Sequence, residues 1–334
     1  MAERDEVFFA PMLIALIRNE TLKILRRRRF AIVIGILAAI LMLISYAQHR
    51  QLSESRNRNW RVELQQRVAS YQNTLRRGRV AENWARAIRA DMARLQFYLD
   101  HDIEPEKPNA PVVVRLVANV SGWLLPLLVA MLGSDIVSAE HAEGTDKLLL
   151  TRPVRRWKVL LSKLITLWMF ATLTLLSAAV LAWLVSAPIL PLAGWGAPMF
   201  NGFHLSAGTV NLDEVRQLPL WHDALIAYGL QWFGLLTVAT IALMLSVIFR
   251  SSAAAIGTML ASLIGGSILT RVSPDWTAGK YLFVSALPLA DYYSGAPAPY
   301  EGMTMTFCIL LLAAWAAGAT IVSFGLFTQR DVFG

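Results

Sequence analysis

Five histidines, one cysteine and scattered serines and carboxylates are all that this 334-residue chain offers to catalysis, and their spacing forms no catalytic centre. His49, His101, His141, His204 and His222 fall in loops or at the edges of apolar runs, not four apart on one helix where two imidazoles would grip zinc. HExxH, GxxxxGK[ST] and GxSxG are absent, so the chain by itself neither cradles a nucleotide's phosphates nor presents a serine nucleophile. The nearest string, Gly265-Gly266-Ser267, has no lysine or histidine in its apolar run to activate the hydroxyl. We therefore expect no enzyme in this chain, and no metal or cofactor bound to it. Cys308 reads as a small apolar filler.

The polar chemistry that remains is concentrated in residues 133–163, GSDIVSAEHAEGTDKLLLTRPVRRWKVLLSK. Gly144 permits a turn, Thr145 can cap a short helix over Asp146–Leu150, and Pro153 halts it. Leu148, Leu149 and Leu150 are then available to a groove on another protein, a contact able to pass force between a soluble partner and a helix bundle. Spacing alone fits an amphipathic loop lying at a membrane surface equally well.

The elements around this stretch are set by the solvent they meet. The chain is 56% hydrophobic and only 16% charged, and its apolar runs are long enough for a hydrocarbon core of about 30 Å, which takes roughly 20 residues per helix. Six spans are expected: 30–47, 112–132, 164–187, 224–249, 253–269 and 303–328. Lys23, Arg26–Arg29, the six basic residues from Lys147 to Lys163, Arg250 and Arg330 fall on one side, which makes that side and both termini cytoplasmic in a cell membrane. Against this stand the arginines of 48–111 and Arg115; a segment that long can cross regardless of charge. No cleavable leader is expected at the N-terminus.

Residues 1–29 predict an interfacial helix running from Val7 to Arg29, with Pro11 in its first turn. Glu20 is out of place on its apolar face beside Phe9, Leu13, Leu16 and Ile17; a buried ion pair, a cytoplasmic partner or a loosely packed surface would each account for it. Residues 48–111 predict a helical hairpin with one stripe through Trp60, Leu64, Val68, Tyr71 and Leu75 and another through Val80, Trp84, Ile88, Met92, Leu95 and Leu99. Its arginines form a solvated face or meet an extracytoplasmic partner or lipid headgroups; nucleic acid is not expected. Residues 188–223 form an outer loop. Residues 270–302 form an interfacial or re-entrant piece anchored by Trp276, Tyr292, Tyr293 and Tyr300 at headgroup level. In the spans, Asn119, Trp123, Thr258 and Ser262 can line a pathway, or hydrogen-bond within their own helices. Ala253, Gly257, Ala261 and Gly265 make a smooth ridge for an internal or intersubunit seam.

The run Glu140-His-Ala-Glu143-Gly144-Thr145-Asp-Lys-Leu148-Leu149-Leu150-Thr-Arg-Pro153-Val154, with Lys163 ahead of the third span, resembles the E-x-x-x-G-T-x-x-x-L-L-x-x-P-V…K signature of type-2 ATP-binding-cassette (ABC-2) permeases. Glu20-Thr-Leu-Lys23-Ile-Leu-Arg26 and the closing Phe327-Thr-Gln-Arg330-Asp331-Val332 are similar to that family's ends. The chain departs from the pattern in its 48–111 insertion and at His141 and Lys147. The resemblance implies an all-α membrane protein with six transmembrane helices of ABC-2 permease type, an N-terminal connecting helix and an extracytoplasmic hairpin. It implies that Glu140, Glu143, Gly144, Thr145, Leu148, Leu149, Pro153 and Glu20 couple the chain to a separate ATPase subunit carrying ATP and magnesium. A second permease half, the same or a related chain, would complete an exporter whose pathway the second and fifth spans wall. Two other readings stay open: a force-transmitting complex acting on an envelope partner, and a stand-alone channel or lipid-handling protein.

Overall fold

In the computed structural model the chain is described over residues 9–55, 59–78, 82–142, 155–202, 204–206, 209–211, 215–273 and 276–329. Helix α1 (Phe9–Arg26) stops where Arg28 turns left-handed at φ 55°, and α2 (Arg29–Ser55) restarts at once. Helices α3 (Trp60–Arg76) and α4 (Glu82–Asp100) pack on each other. Asn59 caps α3 by accepting the Arg61 N–H, and Leu64, Val68, Ala85 and Ile88 fill the seam. Trp84, expected in that seam, is 60% exposed, because Ala85 takes the inward position beside it.

Helix α5 (Ala110–Gly133) starts at Asn109, whose side chain accepts the Val112 N–H, and places Pro111 in the first turn, where its missing N–H costs nothing. A turn leads to the short α6 (Ser138–Ala142). Then follow α7 (Arg156–Ser186), α8 (Leu220–Ile248), α9 (Ser252–Val272), a 3-10 turn at Thr277–Tyr281, α10 (Phe283–Ala286), α11 (Leu289–Tyr293) and α12 (Met305–Gln329).

Among the described residues, six helical stretches are long and apolar enough to cross a membrane: Arg29–Ser53, Gly122–Glu140, Arg156–Ser186, Leu220–Ile248, Ser252–Val272 and Met305–Gln329. The protein is thus an α-helical, multi-pass membrane protein. Two of these stretches form the centre, for 72% of the Gly122–Glu140 window and 67% of the Leu220–Ile248 window are buried, against 22% for the first, fifth and sixth. Helix α8 touches α5, α7, α9, α11 and α12, so the bundle is organised around it. Its apolar residues run all round, as a helix surrounded by protein requires.

The loop between α7 and α8 departs from the all-helical expectation. Strand β1 (Pro198–Asn201) pairs antiparallel with β4 (Arg216–Pro219), and β2 (His204–Ser206) with β3 (Thr209–Asn211). Ribbons of three or four residues carry too little alternation to stand out in a sequence. Phe97 and Tyr98 of α4 lie 5.8 and 5.9 Å from Phe200, ring centre to ring centre, and so seat the α3–α4 pair on this loop. In the segment after α9 only Trp276 of the four expected anchors is exposed. Tyr292 instead donates its hydroxyl to the Ser285 carbonyl, and Tyr300 is buried against Gly279, where any side chain would collide with its ring.

Candidate functional site

The awkward carboxylate of α1 has a partner. Glu20 Oε2 lies 2.9 Å from Nζ of Lys163, a wholly buried lysine about two turns into α7, and Glu20 Oε1 lies 2.8 Å from Lys23 Nζ. Both ammonium groups also reach Glu140 Oε1, at 2.7 Å from Lys163 and 2.6 Å from Lys23, and Lys163 donates further to the Ile136 carbonyl at 3.2 Å. Two cations and two carboxylates alternate in a closed, neutral ring. Burial works against the Lys23 charge, but Glu140 and Glu20 outweigh it and hold its pKa above the ordinary lysine value. Beside the ring, buried Asp135 pairs with Arg29 and faces Arg27 at 3.8 Å.

The backbone that carries Glu140 is itself fixed. The Ser246 hydroxyl, at the end of α8, accepts the N–H groups of Val137 at 2.9 Å and Ser138 at 3.1 Å. Buried N–H groups at a helix start need such an acceptor. The ring therefore joins α1, α6 and α7, and α8 supports it from below. It sits where residues 143–154 leave from α6 and return to α7. Glu143, Gly144, Thr145, Leu148, Leu149 and Pro153 lie outside the described residues, as does the short helix expected over Asp146–Leu150. Of the residues expected to serve coupling, the structure brings Glu20 and Glu140 together and adds Lys23 and Lys163.

The residues expected to line a pathway lie on α5 and α9. Asn119 accepts a hydrogen bond from Arg115 Nη1 and approaches Ser294. Ser262 spends its hydroxyl on the Thr258 carbonyl, and Trp123 is 59% exposed. Gly257, Ala261 and Gly265 form an exposed face of α9, and a Cβ on either glycine would meet nothing within 4 Å. Among the described residues, the ridge forms no seam.

A second buried ionic group, at the other end of α5, was hidden in the sequence. Arg115 pairs through Nε with Asp223, the wholly buried carboxylate in the first turn of α8, whose other oxygen accepts from Asn201 of β1. Arg115 Nη2 donates to Ser294 at 2.8 Å. One lone basic and one lone acidic residue at matching ends of two spans was the available signal. This pairing also removes Arg115 from the set of free charges that bear on orientation.

The chain matches the family described as protein of unknown function (DUF2705) over residues 85–333. It belongs to the DUF2705 family. This DUF2705 protein is 29% identical over 320 residues to an uncharacterized Bacillus subtilis (strain 168) protein, YhcI, a match that covers 95% of this chain and 98% of the relative. It is 32% identical over 213 residues to YdbK, an uncharacterized membrane protein of the same organism, covering 63% of this chain and 78% of the relative. The DUF2705 match takes in α5 through α12, and so both Glu140 and Lys163 of the ring, while the Glu20 and Lys23 side precedes it.

Proposed function

We propose that this DUF2705 chain is the permease subunit of an ATP-driven transporter of ABC-2 type, most consistent with an exporter, in which a separate ATPase subunit binds ATP and magnesium. The single observation that carries the reading is the ionic ring of Glu20, Lys23, Glu140 and Lys163. It fastens the N-terminal helix to both flanks of the 143–154 stretch, whose residues resemble the family's coupling signature. A push delivered there by a closing ATPase would reach α1, α7 and α8 through contacts that are buried and charged, hence stiff, rather than dissipate in a loop. On this reading both termini and the ring face the cytoplasm of a cell membrane. The α3–α4 pair is an extracytoplasmic hairpin, and a second permease half completes the pathway. The exposed small-residue face of α9 supports the need for that second half, because this chain leaves it uncovered. The channel and lipid-handling readings draw no support from the ring, which ties α1 to the flanks of the 143–154 stretch.

The test is purification from the native membrane in mild detergent. The expected result is co-purification of an ATPase, with ATP hydrolysis that is coupled to transport in the native chain and uncoupled in Glu143→Ala or Gly144→Pro. The isolated ATPase should hydrolyse ATP equally well in each case. Normal coupling in both variants, or no ATPase in the preparation, removes this reading.

A further inference from the structure

Arg115 has two carboxylates near it and is engaged by one. Its three guanidinium nitrogens are committed to Asp223, Asn119 and Ser294. The second carboxylate, Asp291 of α11, lies over Gly122 of α5, where an added Cβ would sit 3.7 Å from Asp291 Oδ2 and 3.7 Å from the Pro288 side chain. Among the described residues no donor hydrogen-bonds to the Asp291 carboxylate. The short segment Pro288–Ser294 thus caps the face of α5 formed by Arg115, Asn119 and Gly122, and is held there by side-chain bonds to Ser294 from Arg115 Nη2 at 2.8 Å and Asn119 Nδ2 at 3.4 Å. Asp291 adds one uncompensated negative charge to a cluster in which Asp223 already balances Arg115.

We propose that Asp291 is a proton-operated catch on this cap. Neutral, it rests against Gly122 and leaves Arg115 to Asp223 and Ser294. Ionised, it is a charge that no donor among the described residues compensates, and the Pro288–Ser294 segment loosens from α5 and α8 to let water reach it. Other titratable or charged groups surround it. Arg115 comes from α5, Asp223 and Tyr228 from α8, Tyr292 and Tyr293 from its own segment, Tyr300 from the following loop, and Cys308 from α12. Burial raises the Asp291 pKa from 3.8 to about 6, the attraction of Arg115 opposing only part of the rise. A carboxylate raised in the folded state contributes stability that is complete below the ordinary value and is lost as pH rises through about 6. The proposal needs no ATPase, and it fails or stands separately from the transporter reading.

The experiment is hydrogen–deuterium exchange of the full chain in lipid nanodiscs at pH 5 and pH 7.5, corrected for the intrinsic rate, read over residues 285–302. In the native chain exchange should be roughly tenfold faster at pH 7.5, and in Asp291→Asn less than about twofold. Asp223→Asn should move the midpoint down by about one pH unit, because Arg115 is then free to hold Asp291 ionised. An infrared difference between native chain and Asp291→Asn at pH 5 should show a protonated carboxyl stretch that titrates near pH 6, a readout that survives if Asp223→Asn does not fold. A native-like pH response in Asp291→Asn, or no protonated carboxyl at pH 5, overturns the proposal.

Discussion

Glu20 occupies the apolar side of α1 because two ammonium groups meet it there, and the energetics of that meeting are lopsided. Desolvating four charges offsets most of what their attraction returns, so the ring as a whole adds little net stability. Removing one member is another matter, since it strands a buried charge at a cost of about 3–5 kcal/mol. Lys163→Met should therefore destabilise the protein strongly in thermal unfolding in detergent. Adding Glu20→Gln should restore most of the loss, because Lys23 and Glu140 remain as a balanced pair. Additive losses would mean that the two residues act independently. A buried ion pair was one of three readings that a carboxylate among Leu13, Leu16 and Ile17 left open in the sequence. The identity of its partner was not legible, for Lys163 is 143 positions away. Arg115 and Asp223, 108 positions apart, were equally opaque for the same reason, and in the sequence Arg115 counted instead against the expected orientation.

Among the elements, α8 and α9 show how much a hydropathy profile can and cannot tell. Both read as spans, yet α8 is enclosed and α9 lies at the edge with one face packed and one open. Its glycines sort accordingly. Gly266 faces inward, and a Cβ there would come within 2.9 Å of Val284, a β-branched side chain with little freedom to yield. Gly266→Ala should cost about 1–3 kcal/mol by overpacking α9 against α10. Gly257→Ala and Gly265→Ala should leave the unfolding temperature unchanged or raise it, since open space receives the methyl group and alanine favours helix by about 1 kcal/mol. Losses of equal size at all three positions would contradict the packing described. The existence of the small-residue ridge was plain from its four-residue repeat; its outward direction was not, because a smooth face looks the same whichever neighbour it awaits.

For the molecule as a whole, the spans were legible because roughly 20 apolar residues have few other uses. The β ribbons were illegible because three or four residues have no period to display. The run of residues 140–154, which resembles a coupling signature, depends on a partner for its meaning, which is why the ring that holds Glu140 matters more here than the rest of the run. One feature joins both ends of the bundle. Helix α5 carries Arg115 near its start and leads directly to Asp135 and Glu140 beyond its end, and from Arg115 to Gly133 it rises about 27 Å. That separation is close to a hydrocarbon core of about 30 Å. The two ionic groups would therefore act as a built-in gauge of bilayer thickness. In lipids with longer acyl chains the charges would be drawn toward hydrocarbon, and in shorter ones apolar flanks of the outer helices would meet water. Thermal stability measured across a series of phosphatidylcholines of increasing chain length should pass through a maximum near the 30 Å core, and a flat series would show that the ends of α5 do not sense the membrane at all.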